Sequence, residues 1–348
     1  MGKKTFSVVF SVVLVVFLIA TLVLSVAPSP AAAQEGEKDK KIVLGAVQMV
    51  AFHEWFRTIE MGMAAAAEDL GAELLVANAQ AQVDVEASMV ENFIARGVDA
   101  ITISALDSKA SVAALKKAVD AGIVVVNYNT TIDSPIMETF IGVDNYELGA
   151  QAGRWVLDYI NKNMDGKAKI ALLTIPKYEV GKQRREGFVA EISANPNIVV
   201  VAEQEGESPE QGANTLETIM QGNPDLDLVW AANEGGLVGA LTAAKGSDIK
   251  IVGTDMSLQV AKALLDPNSN LLAVSTQNPY EIGYTAAETA IKLARGQEVE
   301  SDPDKMVGGM EVKIKRLIPL EMYTKDNPKA VEAYLAKYKI LEEGGRVQ

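Results

Sequence analysis

Polar and aromatic residues collect at one kind of position in this sequence, the few places that directly follow a short apolar run. His53, Glu54, Trp55 and Phe56 come after Lys41–Gln48, and Asn127-Tyr128-Asn129-Thr130 closes a later run. Further on, Asn233-Glu234, Asp255 and Gln277-Asn278 stand in the same relation to three more. Together they offer amides, carboxylates, an imidazole and two adjacent aromatic rings. Amides and carboxylates pair with hydroxyls, and a flat ring suits the apolar C–H face of a pyranose or polyol. Each residue alone has a plainer reading. Trp55 and Phe56 could be core residues, His53 a helix-start residue without a ligand, and Asn129, Asn233 and Asp255 turn or cap residues. Their shared placement is what points to a binding site.

Other chemistries find little support. The chain has one histidine and no cysteine, which excludes disulfides, thiol catalysis, cysteine-linked lipid and thiolate or multi-histidine metal sites. There is no Gly-x-Ser-x-Gly elbow, no phosphate-binding loop ending in Lys-Ser/Thr and no His-Glu-x-x-His. Glu234-Gly235-Gly236-Leu237-Val238-Gly239 lacks dinucleotide-loop spacing and reads as a tight strand-to-helix turn. Asn129-Thr130-Thr131 fits a glycosylation sequon only formally. No enzyme, cofactor or metal is implied. A formal net charge of −14 argues against nucleic acid and anionic membrane surfaces as partners.

Strand–helix units must position these residues. Apolar strands at Lys41–Gln48, Leu74–Val76, Ala100–Ser104 and Val124–Tyr128 alternate with helices at Trp55–Leu70, Asp84–Arg96 and Ser108–Ala121. Each helix stops at a glycine: Gly71, Gly97 or Gly122. The second half continues alike, with strands at Lys169–Thr174, Ile198–Glu203, Leu228–Ala232, Ile249–Thr254 and Leu272–Thr276. Apolar strands between helices mean parallel sheets covered on both faces. At 348 residues, two α/β lobes pack better than one very wide sheet. Ligands of open α/β sheets bind beyond the carboxyl ends of the strands, where the residues above stand. Ahead of all this, Lys3-Lys4, the uncharged apolar Phe6–Val26 and Ala31-Ala32-Ala33 read as a signal peptide over 1–33. Its length also allows an uncleaved anchor. Residues 34–40 read as a flexible leader.

The order of motifs resembles the periplasmic sugar-binding proteins of the ribose-binding type over about Lys41–Ile318. It is carried by Trp55-Phe56, Ala95-Arg96-Gly97-Val98-Asp99-Ala100-Ile101, Ile141-Gly142-Val143-Asp144-Asn145 and Arg185-Glu186-Gly187-Phe188. Ala232-Asn233-Glu234, Ile251-Val252-Gly253-Thr254-Asp255, Gln277, Pro279 and Ile282-Gly283 complete it. The resemblance implies two doubly wound parallel-sheet lobes joined by a three-segment hinge. The lobes would be 41–144 plus 279–313 and 147–277 plus 315–322, with crossings near Asp144–Glu147, Gln277–Pro279 and Lys313–Lys315. Residues 326–348 extend past the usual end as a helix packed on a lobe. By position, Trp55 and Phe56 match the ring pair that holds the sugar, and His53 matches a hydroxyl-binding asparagine. Asn233, Asp255 and Gln277 match ligand contacts. Lys182 falls near an arginine contact, with Arg184 close by. Asn129-Thr130 stands where ribose binders carry Asp-Arg, which favours another neutral sugar, a deoxy sugar or a polyol. The function implied is capture of a small sugar or polyol and delivery, as a monomer, to the membrane permease of an ABC importer. Competing readings are a ligand-presenting sensory protein and an anchored binder of another small molecule such as a nucleoside. A ligand-sensing repressor shares the core, but an export segment occupies the place of its DNA-binding helices.

Overall fold

A computed structural model describes residues 41–50, 54–307 and 309–343. The signal sequence, the leader, His53 and the last residues of the tail lie outside the described residues. Two six-stranded sheets organise the chain. The first contains β1 (Val43–Gln48), β2 (Glu73–Asn78), β3 (Ala100–Ile103), β4 (Val124–Tyr128), β5 (Thr139–Gly142) and β13 (Ile314–Leu317), in the order β13-β5-β4-β3-β1-β2. The second contains β6 (Ala168–Thr174), β7 (Ile198–Glu205), β8 (Leu228–Ala231), β9 (Lys250–Thr254), β10 (Leu271–Thr276) and β14 (Glu321–Thr324), in the order β14-β10-β9-β8-β6-β7. Every pairing in the first sheet is parallel. In the second only the edge strand β14 runs antiparallel, against β10.

Helices cover both faces of each sheet. In the first lobe α1 (Glu54–Asp69) and α9 (Pro279–Ala294) pack on one face, and α2 (Val83–Arg96) and α3 (Val112–Asp120) on the other. In the second, α4 (Asn145–Asn163) and α5 (Glu179–Ile192) oppose α6 (Pro209–Gly222), α7 (Glu234–Ala243) and α8 (Leu258–Leu265). The central strands β3 and β8 are therefore buried at every residue, and each aliphatic side chain enclosed there stabilises by about 1.5–3 kcal/mol. Helix α2 ends as its sequence implies. Gly97 takes a left-handed conformation and donates its N–H to the Ile94 carbonyl.

The chain passes between lobes three times: from β5 to α4, from β10 to α9, and from β13 to β14. The third passage differs from the expectation of a crossing at Lys313–Lys315. Ile314–Leu317 pairs in parallel with Thr139–Gly142, and Ile318 N–H donates to the Gly142 carbonyl at 2.7 Å. The first lobe therefore keeps its edge strand through Leu317, and the crossing falls at 318–320. A short hairpin, β11 (Met306–Val307) with β12 (Met310–Glu311), precedes that strand. It rests on the first lobe through buried Val307 and Val312. The tail forms α10 (Pro328–Glu342). Among the described residues no helix is long and apolar enough to cross a membrane.

Candidate functional site

Both sheets point their carboxyl-terminal strand ends at a common cleft, and the loops there line a cavity of about 1210 Å³. In the first lobe, Trp55 and Phe56 open α1 and meet edge to face, with ring centroids 4.8 Å apart and planes at 84°. Trp55 is half-buried against the first-lobe core, so its ring is held rather than free to swing. Asn129 follows β4 with a left-handed backbone, φ +62°. Its N–H donates to the Ile141 carbonyl and its side-chain amide to Ser104 Oγ at 3.1 Å. The Thr130 hydroxyl donates to the Ala105 carbonyl at 2.9 Å. That carbonyl belongs to the loop between β3 and α3, whose residues Ala105, Leu106, Asp107 and Ser108 also line the cavity. Buried Glu86 pins the loop by accepting from Leu106 N at 2.8 Å and from the Ser111 hydroxyl.

The second lobe repeats the device. Asp255 follows β9 with φ +70°, and its N–H donates to the Ser275 carbonyl. Left-handed backbone is uncommon for a residue with a side chain, though Asn and Asp tolerate it best. Asn129 and Asp255 thus occupy equivalent places in the two lobes, and both face the cleft. The Asp255 carboxylate is shared between two donors: Arg184 Nη1 reaches Oδ2 at 2.8 Å, and Gln277 Nε2 reaches Oδ1 at 3.1 Å. Arg184 is only 4% exposed. It also donates from Nη1 to the Ala232 carbonyl at 3.0 Å and from Nε to Asn145 Oδ1 at 2.9 Å. A buried guanidinium needs such partners, since an unpaired charge there would be strongly destabilising. The Asp255 carboxylate is thereby offset by the guanidinium beside it.

Eight of the nine residues read from the sequence line the one cavity: Trp55, Phe56, Asn129, Thr130, Lys182, Asn233, Asp255 and Gln277. The ninth, His53, lies outside the described residues. The eight are not equivalent. Asn233 caps α7, accepting from Gly236 N at 3.1 Å and donating to the Glu207 carbonyl at 2.7 Å, so its cap role is realised as well. Lys182 sits at the lip with a half-exposed side chain, 3.5 Å from Glu179 Oε2. Of the three cations on α5, Lys182, Arg184 and Arg185, it is Arg184 that reaches Asp255, while Arg185 pairs with Glu203. Tyr178 is a further cavity residue that the sequence reading passed over. Its hydroxyl donates to Glu207 Oε1 at 2.7 Å, and burial followed by that carboxylate raises its pKa. It follows β6, so the strand-end rule applied to that strand would have found it. Among the described residues no group of three or more His, Cys, Asp or Glu is arranged to hold a metal ion.

Comparison with known proteins is consistent across sequence and structure. The family described as "Periplasmic binding protein domain" matches residues 47–298. The chain is similar to the ABC transporter periplasmic-binding protein YphF of Escherichia coli, 27% identical over 298 residues, covering 82% of this chain and 87% of that protein. It is also similar to the ribose import binding protein RbsB of Escherichia coli, 30% identical over 251 residues, covering 71% and 83%. Among solved structures, a Mycobacterium smegmatis protein in complex with beta-D-fucofuranose superposes with a TM-score of 0.74 at 28% identity, covering 86% of this chain and 97% of that one.

Proposed function

Because the chain belongs to the periplasmic binding protein family, we propose that it captures a neutral sugar or polyol in the cleft between its lobes and delivers it to an ABC importer. The observation that carries this reading is the pairing of two unlike walls across one cavity. One wall offers the Trp55–Phe56 ring pair, and the other offers the Asp255, Gln277 and Arg184 network. Aromatic faces take the C–H side of a sugar, and a fixed carboxylate–amide–guanidinium array takes its hydroxyls. A carboxylate already paired with a guanidinium gives no advantage to a charged ligand, and Asn129-Thr130 adds no charge opposite. Curated relatives that bind ribose or ribose and allose support a sugar over another small molecule.

On this reading the protein is a monomer that performs no catalysis, and its macromolecular partner is the importer's membrane permease. The basic start and apolar run support export from the cytoplasm, and a chain without cysteine offers no thiol for lipid attachment. A thermal-shift screen against monosaccharides, polyols and nucleosides tests the proposal. A true ligand at 100 times its Kd should add about 2.7 kcal/mol to stability. Stabilisation by nucleosides alone, or by none of the three classes, would overturn it.

A further inference from the structure

Helix α10 lies beyond the family-matched residues 47–298, and it touches both lobes. Its first half belongs to the second lobe. Val331 is fully buried in that lobe's core, with Tyr334 and Leu335 packed beside it. The Tyr334 hydroxyl reaches the carbonyl of Met256, the residue after Asp255, at 3.4 Å. The last turn belongs to the first lobe. Leu341 is 5% exposed and forms a small separate cluster with Ala65 of α1 and Tyr280 of α9, flanked by Met61 and Tyr284. Val331 and Leu341 are ten residues apart, so one rigid helix spans about 15 Å between the two anchorages. Close to it the lobes meet directly: Leu258 N, at the start of α8, donates to Glu54 Oε1, at the start of α1, across 3.2 Å.

We propose that α10 is an interlobe clasp, a fourth and non-covalent tether beside the three hinge crossings, which holds the lobes near the arrangement described here. Widening the cleft draws Leu341 out of its seat between α1 and α9, because the helix is fixed to the second lobe by Val331. It also separates Leu258 from Glu54. The unliganded protein is therefore biased against wide opening, and a larger fraction of it is ready to take ligand than the bare hinge would allow.

The test needs no ligand, so its outcome is independent of the sugar reading. The chain has no cysteine of its own, and exposed Asn92 and Glu217 sit on opposite lobes. Asn92→Cys and Glu217→Cys accept spin labels, and pulsed dipolar spectroscopy reads the interlobe distance. Adding Leu341→Asp should shift the distribution to longer distances, lowering the ratio of compact to open molecules by about tenfold or more. Leu341→Ala should move it the same way by less. Ile340→Asp places the same charge on a neighbouring residue that is already 44% exposed, and should leave the parent distribution unchanged. An unchanged distribution in both Leu341 variants, or an equal shift with Ile340→Asp, would overturn the clasp.

Discussion

Asp255 carries the most argument at the scale of single residues. Its backbone is held left-handed at the end of β9, and its two oxygens are each met by one protein donor. A carboxylate has about four acceptor positions, so a ligand hydroxyl can still be received. A hydrogen bond to a charged group contributes about 1.5–3 kcal/mol, which at about 1.4 kcal/mol per decade is a tenfold to hundredfold change in affinity. Asp255→Ala should weaken binding by about that factor. It also strips buried Arg184 of both its countercharge and its acceptor, whereas Asp255→Asn loses only the charge and keeps the shape and one acceptor toward Arg184, so comparing the two separates the two losses. Calorimetric titration with the sugar found by screening measures both, and parent-like affinity in the two variants would place the ligand elsewhere. Trp55 supplies an optical check. Trp230 is fully buried and stacked on Phe188, and Trp155 is stacked on Tyr159 in α4, so Trp55 is the tryptophan that lines the cavity. Ligand should change the emission of the parent, and Trp55→Phe should lose most of that change.

At the scale of elements, the two lobes solve the same problems with the same devices. Asp99 precedes β3 and accepts from Val43 N of β1 at 2.9 Å, while Asp227 precedes β8 and accepts from Lys169 N of β6 at 2.7 Å. Each lobe also crosses two helices at near contact through glycines. A Cβ at Gly283 of α9 would overlap the Ile59 carbonyl of α1, and one at Gly187 of α5 would overlap the Tyr146 carbonyl. Backbone cannot yield there as a flexible side chain can, so Gly283→Ala should cost more than the usual 1–3 kcal/mol of an overpacked core. Urea unfolding measures it, and a loss below about 1 kcal/mol would show that the helices can separate freely. The loop pinned by Glu86 predicts a pH effect. Burial, the largest influence, raises this carboxyl, the bonds from Ser111 and Leu106 oppose that rise, and the nearby Asp107 charge adds to it. The folded state thus keeps a proton that the unfolded chain releases sooner. This contribution to stability is fullest below the ordinary carboxylate pKa and declines as pH rises through the raised one. Glu86→Gln keeps the shape without the titrating proton, and should flatten the decline in melting temperature as pH rises above the ordinary carboxylate pKa. An unchanged slope would assign it to another group.

At the scale of the whole molecule, the cavity of about 1210 Å³ exceeds the roughly 300–1,000 Å³ usual for small-ligand pockets. The lobes therefore have room to approach further around a small ligand. The cavity residues proposed to meet it are divided between Trp55 and Asn129 on one lobe and Asp255 and Asn233 on the other, and a ligand that touches both favours the closed arrangement. Small-angle scattering should show a smaller radius of gyration at saturation with the identified sugar. An unchanged radius would mean that this cleft binds without closing.

Much of this was legible in the sequence because it depends on local order. Gly71, Gly97 and Gly122 announce helix ends, unbroken apolar runs announce buried parallel strands, and the residues after those runs must face one edge of the sheet. Trp55, Phe56, Asn129, Thr130, Lys182, Asn233, Asp255 and Gln277 were reached by that rule together with the resemblance to ribose-type binders. What only the tertiary structure decided was partnership between distant residues. Lys182 and Arg184 are two positions apart on one helix, and nothing in their spacing says which of them turns inward to Asp255, 71 residues from Arg184. The third crossing moved to 318–320 because Ile314–Leu317 finds its hydrogen-bond partners on β5, far back in the chain. Leu341 is apolar in any reading, but that it grips the lobe opposite to the one holding Val331 follows from packing alone. Periodicity specifies which face of an element is apolar, while the surface that covers the face is set by contacts among segments that the sequence keeps far apart.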